Sequence, residues 1–155
     1  MLRADVMEGF KKAGIPRNYR AGETVFLAGE PSTGMYLIIK GEVKVVRRAP
    51  TGELIEVATM GTGQTMGEVS LLMGQPHSAT IVAKTDVETS LLTQTKLEEL
   101  QRDDHDLSLQ LYQILAYTLA GHLMDVNRQL ASARKEIELL QKKLDEQQST
   151  YSYFR

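Results

Sequence analysis

The chain has 155 residues, of which 42% are hydrophobic, so it can bury one substantial core but is too short for two ordinary domains. Its formal net charge is -2, from 18 lysines and arginines against 20 acids, which leaves no basic footprint for nucleic acid or an anionic membrane. The sequence has no cysteine and no apolar run long enough to span a membrane. Disulfides, thiolate metal sites and a cysteine nucleophile are excluded, and we expect a cytoplasmic protein without a membrane anchor.

Short strands separated by turns are predicted for the first part of the chain. All four prolines lie at or before Pro76, and all 12 glycines lie at or before Gly121. Runs rich in β-branched and aromatic residues predict strands at Thr24–Leu27, Tyr36–Ile39, Val43–Val46, Leu54–Val57, Thr80–Val82 and Val87–Leu92. Closely spaced strands with glycine corners indicate a β-barrel or jelly roll. We assign residues 1–105 to this mainly β domain, with short flanking helices.

Two helices are predicted after the last strand. Thr95 and Glu98 have the spacing of a capping box, which predicts a short helix that ends near Arg102. Three acids follow at positions 103, 104 and 106, where carboxylates complement the positive end of a helix dipole. They predict the start of a long helix. We assign residues 106–148 to this helix and residues 149–155 to a tail.

The long predicted helix carries a heptad repeat. Its a positions are Leu109, Ala116, Leu123, Leu130, Ile137 and Leu144, and its d positions are Tyr112, Leu119, Val126, Ala133, Leu140 and Gln147. From Leu109 to Leu119, packing of this stripe onto the barrel is the favoured interpretation. Beyond Val126 the barrel should be out of reach, so Leu123, Leu130, Ile137 and Leu144 predict a homodimer through a coiled coil. Leucine at a with mixed residues at d leaves higher oligomers open.

The stretch from Met66 to Ala83 carries the candidate binding chemistry. Gly67, Glu68 and a short apolar segment can open a one-turn helix whose free amides attract an anion. A later corner, Ser78-Ala79-Thr80, adds hydroxyls and another amide. A carboxylate beside an anion pocket suits a ligand that has hydroxyls to donate. Together these features indicate that the ligand contains a phosphorylated sugar.

Two motifs in this stretch, Met66-Gly67-Glu68-Val69-Ser70-Leu71 and Pro76-His77-Ser78-Ala79-Thr80, resemble the cyclic nucleotide-binding domain family of the catabolite activator protein type. The family's cassette reads roughly Phe-Gly-Glu-(Leu/Met)-(Ala/Ser)-Leu and then Pro-Arg-(Ser/Ala/Thr)-Ala-Thr. Segments between Tyr19 and Val45 resemble the family's opening strands in the same order. The resemblance covers about Tyr19 to Leu130 and implies the β-roll fold.

The resemblance implies a ligand-binding role for Gly67, Glu68, Val69, Ser70, His77, Ser78, Ala79 and Asn127. Glu68 would accept a hydrogen bond from the ribose 2′-hydroxyl, Ser78 would bind the cyclic phosphate, and amides near Gly67 and Ala79 would approach ligand oxygens. Glu68 could instead be a solvated acid at a helix start, Ser78 an ordinary turn residue, and Gly67 a purely steric requirement. Asn127 falls near the helical turn that contacts the base in the family. It could equally be a coiled-coil e position whose side chain faces water. Cyclic GMP-selective relatives often have threonine where Ser78 stands, which favours cAMP over cGMP.

His77 departs from the family, which places an arginine on the cyclic phosphate. Arginine is a permanently charged planar fork, whereas histidine has two ring nitrogens and an ordinary pKa near 6.5. We therefore expect nucleotide binding to be weak, altered or absent. The alternative is that His77 is a tolerated surface residue in a degenerate pocket.

Two functions follow. The first is a cyclic nucleotide-binding regulator or sensor that acts as a homodimer on an unknown downstream protein, and the second is a scaffold that uses the fold for protein interaction. We expect no cofactor, metal or catalysis, because His77, His105 and His122 lack ligand spacing and no nucleophile has a neighbouring base. The sequence stops at Arg155 without room for a helix-turn-helix domain, so DNA binding is not expected of this chain, although a truncated regulator remains an alternative.

Overall fold

The computed structural model describes the backbone of residues 4–152 and the side chains of residues 7–148. The described part of the chain divides into two compact units, with the boundary between Tyr117 and Thr118. Its elements in chain order are α1 (Ala4–Ala13), β1 (Ile15–Tyr19), β2 (Thr24–Phe26), β3 (Met35–Lys40), β4 (Glu42–Arg48), β5 (Leu54–Gly61), β6 (Thr65–Met66), α2 (Glu68–Met73), β7 (Thr80–Ala83), β8 (Val87–Leu92), α3 (Gln94–Asp103) and α4 (His105–Ser152).

The eight strands form two antiparallel four-stranded sheets, with strand orders β1-β8-β3-β6 and β2-β7-β4-β5. Strand β3 contributes alternate side chains to two cores, because successive residues of a strand point to opposite faces. Tyr36 and Ile38 pack with Phe26, Val43 and other residues of both sheets. The predicted β-roll fold is therefore confirmed.

The second core lies between the first sheet and the helices of the first unit. Met35 and Leu37 of β3 pack against a set of helix residues that are all almost fully buried: Phe10, Leu97, Leu100, Leu111, Ile114 and Leu115. The set comes from α1, α3 and the first turns of α4. These helices therefore cover the face of the sheet that the other core leaves open.

Each of the six predicted strand runs overlaps a strand of the structure, but β1 and β6 were not predicted. Strand β1 contains Pro16 and Asn18, which are poor strand formers. It lies at the edge of its sheet, where a proline without an N–H is tolerated. Strand β6 has only two residues, too few for a recognisable pattern.

The predicted cap of α3 is wrong. The N-cap is Thr93, whose side-chain oxygen accepts a hydrogen bond from the Lys96 amide at 3.2 Å, and Thr95 lies inside the helix. Thr93 has extended backbone angles because it directly follows β8. The acidic start of α4 is as expected, since the Asp104 carboxylate accepts a hydrogen bond from the Leu107 amide at 3.0 Å.

In the first unit, the a positions of the heptad stripe do not pack onto the β-roll, although Tyr112, a d position, is partly buried against the core between the sheet and the helices. Leu109 and Ala116, both a positions, are exposed, whereas Leu111, Ile114 and Leu115 are buried. The favoured prediction for this part of the stripe is therefore wrong for its a positions. The helix therefore has two apolar faces in this part. Leu111, Ile114 and Leu115 form the face that packs on the sheet, and Leu109 lies on the other, exposed face.

In the second unit, α4 continues with an exposed apolar stripe. Leu123, Val126, Leu130, Ile137, Leu140 and Leu144 are each at least half exposed. Within residues 4–152, no helix is long and apolar enough to cross a membrane. Part of the predicted tail is helical, since α4 runs through Ser152, and residues 153–155 lie outside the described residues.

Strand β5 is an edge strand whose first six residues, 54–59, are exposed on both faces, whereas Met60 packs against the core between the two sheets. Three of its apolar side chains, Leu54, Ile55 and Val57, are 41–61% exposed. Its pairing with β4 is interrupted by a register shift between Val45 and Val46. The strand therefore contributes little to either core.

Candidate functional site

The candidate site begins at the turn between β6 and α2, which Gly67 forms with a φ of 84°. A Cβ atom at this position would lie 2.7 Å from the backbone oxygen of Gly34 and 3.5 Å from Cε1 of His77. The positive φ and the close approach both favour glycine. Gly67 thus has a steric role, and it brings the backbone of Gly34 and the ring of His77 to one place.

Helix α2 follows directly and has the position predicted for the short helix. The Leu71 amide donates the first backbone bond of this helix, to the Gly67 oxygen at 3.0 Å, so the amides of residues 68–70 precede it. Glu68 is only 4% exposed and Ser70 is also buried, whereas Val69 is half exposed. The interpretation of Glu68 as a solvated acid is therefore wrong.

The chain leaves α2 through a second glycine turn. Gly74 has left-handed backbone angles, and its amide and that of Gln75 both donate to the Ser70 oxygen. The Ser70 hydroxyl donates to the Pro76 oxygen at 3.4 Å. These bonds place the start of the second motif beside the helix of the first.

The second motif is fixed to the turn between β2 and β3. The His77 amide donates to the Glu30 oxygen at 2.9 Å, and the Gly29 amide donates to the His77 oxygen at 2.8 Å. The Ala28 amide donates to the Thr80 hydroxyl at 3.0 Å. Two segments about 50 residues apart in sequence are thereby held together on both sides of His77.

The imidazole of His77 is buried, with 3% of the residue exposed. It stacks on the ring of Phe26, with centroids 3.8 Å apart and planes 16° apart, and Phe26 in turn contacts Tyr36 at 5.6 Å. Neither ring nitrogen has a hydrogen-bond partner among the described residues. The interpretation of His77 as a surface residue is therefore wrong.

Burial lowers the pKa of His77 below its ordinary value of 6.5, because an imidazolium loses its hydration in this position. The nearby Glu30 carboxylate acts in the opposite direction but has the smaller effect. At neutral pH the imidazole is therefore uncharged, with one N–H donor and one acceptor nitrogen.

The other predicted site residues lie in different surroundings. Ser78 is exposed at the surface, and Ala79, directly before β7, is buried. Asn127 is exposed and belongs to the second unit. A surface cleft beside α2 is lined by Pro31, Ser32, Ser70, Leu71, Leu72, Met73, Gly74, Gln75, Pro76 and Gln94, and it does not include Glu68 or His77.

The sequence analysis did not find Phe26, Glu30, Gly34 or Tyr36 as members of the site. Their segments were recognised as part of the fold, but their contacts with residues 67 and 77 are long-range. A single sequence contains no signal for such pairings. Glu30 alone had a local signal, because it stands in a Gly-Glu-Pro turn.

Comparison with known proteins identifies the family. The family model of the cyclic nucleotide-binding domain matches residues 16–104, and the chain belongs to this family. The CRP-like cAMP-activated global transcriptional regulator of Mycobacterium tuberculosis is 31% identical over 127 residues, which are 77% of this chain and 57% of the relative. The chain spans somewhat more than half the length of the curated relatives it matches.

Solved structures agree with this assignment. The catabolite activator protein of Thermus thermophilus is 28% identical, with a TM-score of 0.64, and the match covers 90% of this chain and 60% of that one. A cyclic nucleotide-binding domain from Methylobacillus flagellatus has a TM-score of 0.69 and covers 78% of each chain. Its identity of 21% shows likeness of fold alone.

Proposed function

We propose that this chain binds a cyclic nucleotide, cAMP in preference to cGMP, and acts as a regulatory homodimer without catalytic activity. Membership of the family supports the ligand class. The observation that carries the proposal is the burial of Glu68 and His77 at the bare backbone of Gly67. Buried polar groups are costly in a core, and their presence at one place is typical of a binding site.

The roles in this proposal follow from the donor and acceptor capacity of each group. The Glu68 carboxylate accepts hydrogen bonds from ribose hydroxyls, because an ionised carboxylate has only acceptor oxygens. The amides at the start of α2 and the exposed Ser78 hydroxyl donate to the cyclic phosphate. The His77 imidazole, which is not a permanent cation, adds a further ring N–H. The shorter side chain at Ser78 supports the choice of cAMP.

Titration calorimetry with cAMP and cGMP tests the proposal directly. Replacing Glu68 with alanine should weaken cAMP binding about tenfold or more, because the ribose hydroxyls lose a charged acceptor. Glu98→Ala is a matched control, since it removes an exposed acid on α3. Equal affinity of the two variants would contradict the role of Glu68, and tighter binding of cGMP than of cAMP would reverse the base preference.

A scaffold without cyclic nucleotide is the second candidate. The inward, uncharged His77 favours it, because the family's contact with the phosphate is a permanent positive charge. The scaffold function would leave both wild type and His77→Arg without measurable binding of either nucleotide. Binding by either protein would argue against it.

A further inference from the structure

The segments that form the site contribute no fixed positive charge. The sequence has no lysine or arginine from residue 21 to 39, which includes β2 and most of β3. It has none from residue 49 to 83, which includes β6, α2 and β7. The same segments bring two acids, Glu30 and Glu68, to the site. An anionic phosphate is therefore not attracted by any lysine or arginine of these segments.

His77 is the one basic side chain of these segments. Its imidazole is uncharged, and both of its ring nitrogens are available for hydrogen bonds to a ligand. Its ring is positioned by the Phe26 stack and by the two backbone bonds to the turn at residues 29–30. Both nitrogens are buried without a partner among the described residues. A buried donor that lacks a partner is unfavourable, and a ligand oxygen that accepts from it relieves this cost.

We infer that His77 makes the site select a phosphate by hydrogen bonding and not by charge, so that an uncharged phosphate ester of the nucleoside binds about as well as the anionic cyclic phosphate. The inference rests on the proposed function and deepens it. The neutral imidazole donates its N–H to a phosphoryl oxygen, which both forms of the phosphate possess. An arginine in this place would instead favour the anion, because its attraction is largely that of a permanent charge.

The side chains that the neighbouring elements bring to this part of the molecule support this distinction. Glu30 lies on the turn before β3, Glu68 starts α2, and the uncharged rings of Phe26 and Tyr36 come from β2 and β3. The Tyr36 hydroxyl is paired with the Thr33 hydroxyl at 2.9 Å. None of these side chains prefers an anionic ligand to a neutral one, and the amides at the start of α2 can donate to a phosphoryl oxygen of either form. Protonation of His77 in acid would create such a preference.

The test compares two ligands, cAMP and its P–O-methyl triester, which has the same nucleoside and no charge on the phosphate. Competition binding at pH 8 should give dissociation constants that differ by less than about threefold for wild type, because the imidazole is neutral there. For His77→Arg the triester should bind at least about tenfold more weakly than cAMP. Gln75→Arg, which adds the same charge at an exposed neighbouring position, should keep the wild-type ratio.

A wild-type preference for cAMP of tenfold or more at pH 8 would overturn the inference, whether or not the arginine variant folds. A wild-type preference below threefold that grows as the pH falls would support it. If wild type binds neither ligand while His77→Arg binds cAMP, the inference fails and the ligand class of the proposed function survives. If no protein binds either ligand, the proposed function itself fails and the inference fails with it.

Discussion

The uncharged state of His77 has a consequence for the pH dependence of ligand affinity. An anion bound beside the ring stabilises the imidazolium, so the pKa of His77 should be higher in the complex than in the free protein, where burial lowers it. Affinity for cAMP should therefore rise as the pH falls from the bound pKa to the free pKa. It should become flat below the free value, because the imidazole is then protonated in both states.

Calorimetry between pH 8 and pH 5 measures this slope. His77→Arg should remove most of the pH dependence and strengthen binding near neutral pH by about one decade, because its charge is permanent. His105→Gln removes a histidine at the start of α4 and is the matched control. Wild-type affinity that rises with pH would contradict this mechanism.

The close approach at Gly67 gives a second prediction at this scale. Gly67→Ala should lower the free energy of unfolding by about 1–3 kcal/mol more than Gly22→Ala does, because its Cβ would meet the Gly34 oxygen in addition to the strained φ. Gly22 has a similar φ of 88°, with nothing within 4 Å of its added Cβ. Urea denaturation of both variants measures the difference. If both variants lose the same free energy of unfolding, the backbone at Gly34 can move away from the new Cβ atom without destabilising the protein.

Residue identity alone predicted part of this site. Gly67 and Glu68 stand out because a glycine followed by an acid at a helix start has a local meaning. The surroundings of His77 could not be predicted, because its partner Phe26 is 51 positions away in sequence and its burial depends on the pairing of β2 with β7. His77 lies on the loop between α2 and β7, and only the contacts of this loop with β2 and the following turn bury its ring.

At the scale of single elements, Thr93 has a testable role in starting α3. Thr93→Ala should lower the free energy of unfolding by about 1 kcal/mol, because the Lys96 amide loses its acceptor. Thr95→Ala should change it by less than about 0.5 kcal/mol, since Thr95 is exposed within the helix. Thermal or urea unfolding distinguishes the two. A larger loss at Thr95 would contradict the cap that the structure shows.

The elements differed in how far local patterns predicted them. The strands with β-branched runs were predicted because their apolar residues are buried in a core, as in β3 and β8. Strand β1 was missed, since its backbone pairing with β8 and not its composition makes it a strand. The cap of α3 was misplaced because two threonines lie two residues apart and only the end of β8 decides between them.

For the whole molecule, the exposed stripe of α4 predicts self-association. Light scattering of wild type should give at least a dimer, and Leu130→Glu combined with Leu140→Glu should dissociate it, because the charges would lie in the helix interface. Met124→Glu combined with Leu139→Glu is the matched control, since these exposed residues lie outside the a and d positions. A monomeric wild type at micromolar concentration would contradict the homodimer.

The exposed edge strand β5 also bears on the colloidal behaviour of the protein. An edge strand with unpaired backbone groups and apolar side chains can template the addition of a strand from another molecule. Two features oppose this here: the register shift opposite Val45 and Val46, which interrupts regular pairing, and the charge of Glu56 between Ile55 and Val57. The charge of Glu56 therefore opposes the addition of a strand from another molecule at this edge, whether or not a ligand is bound.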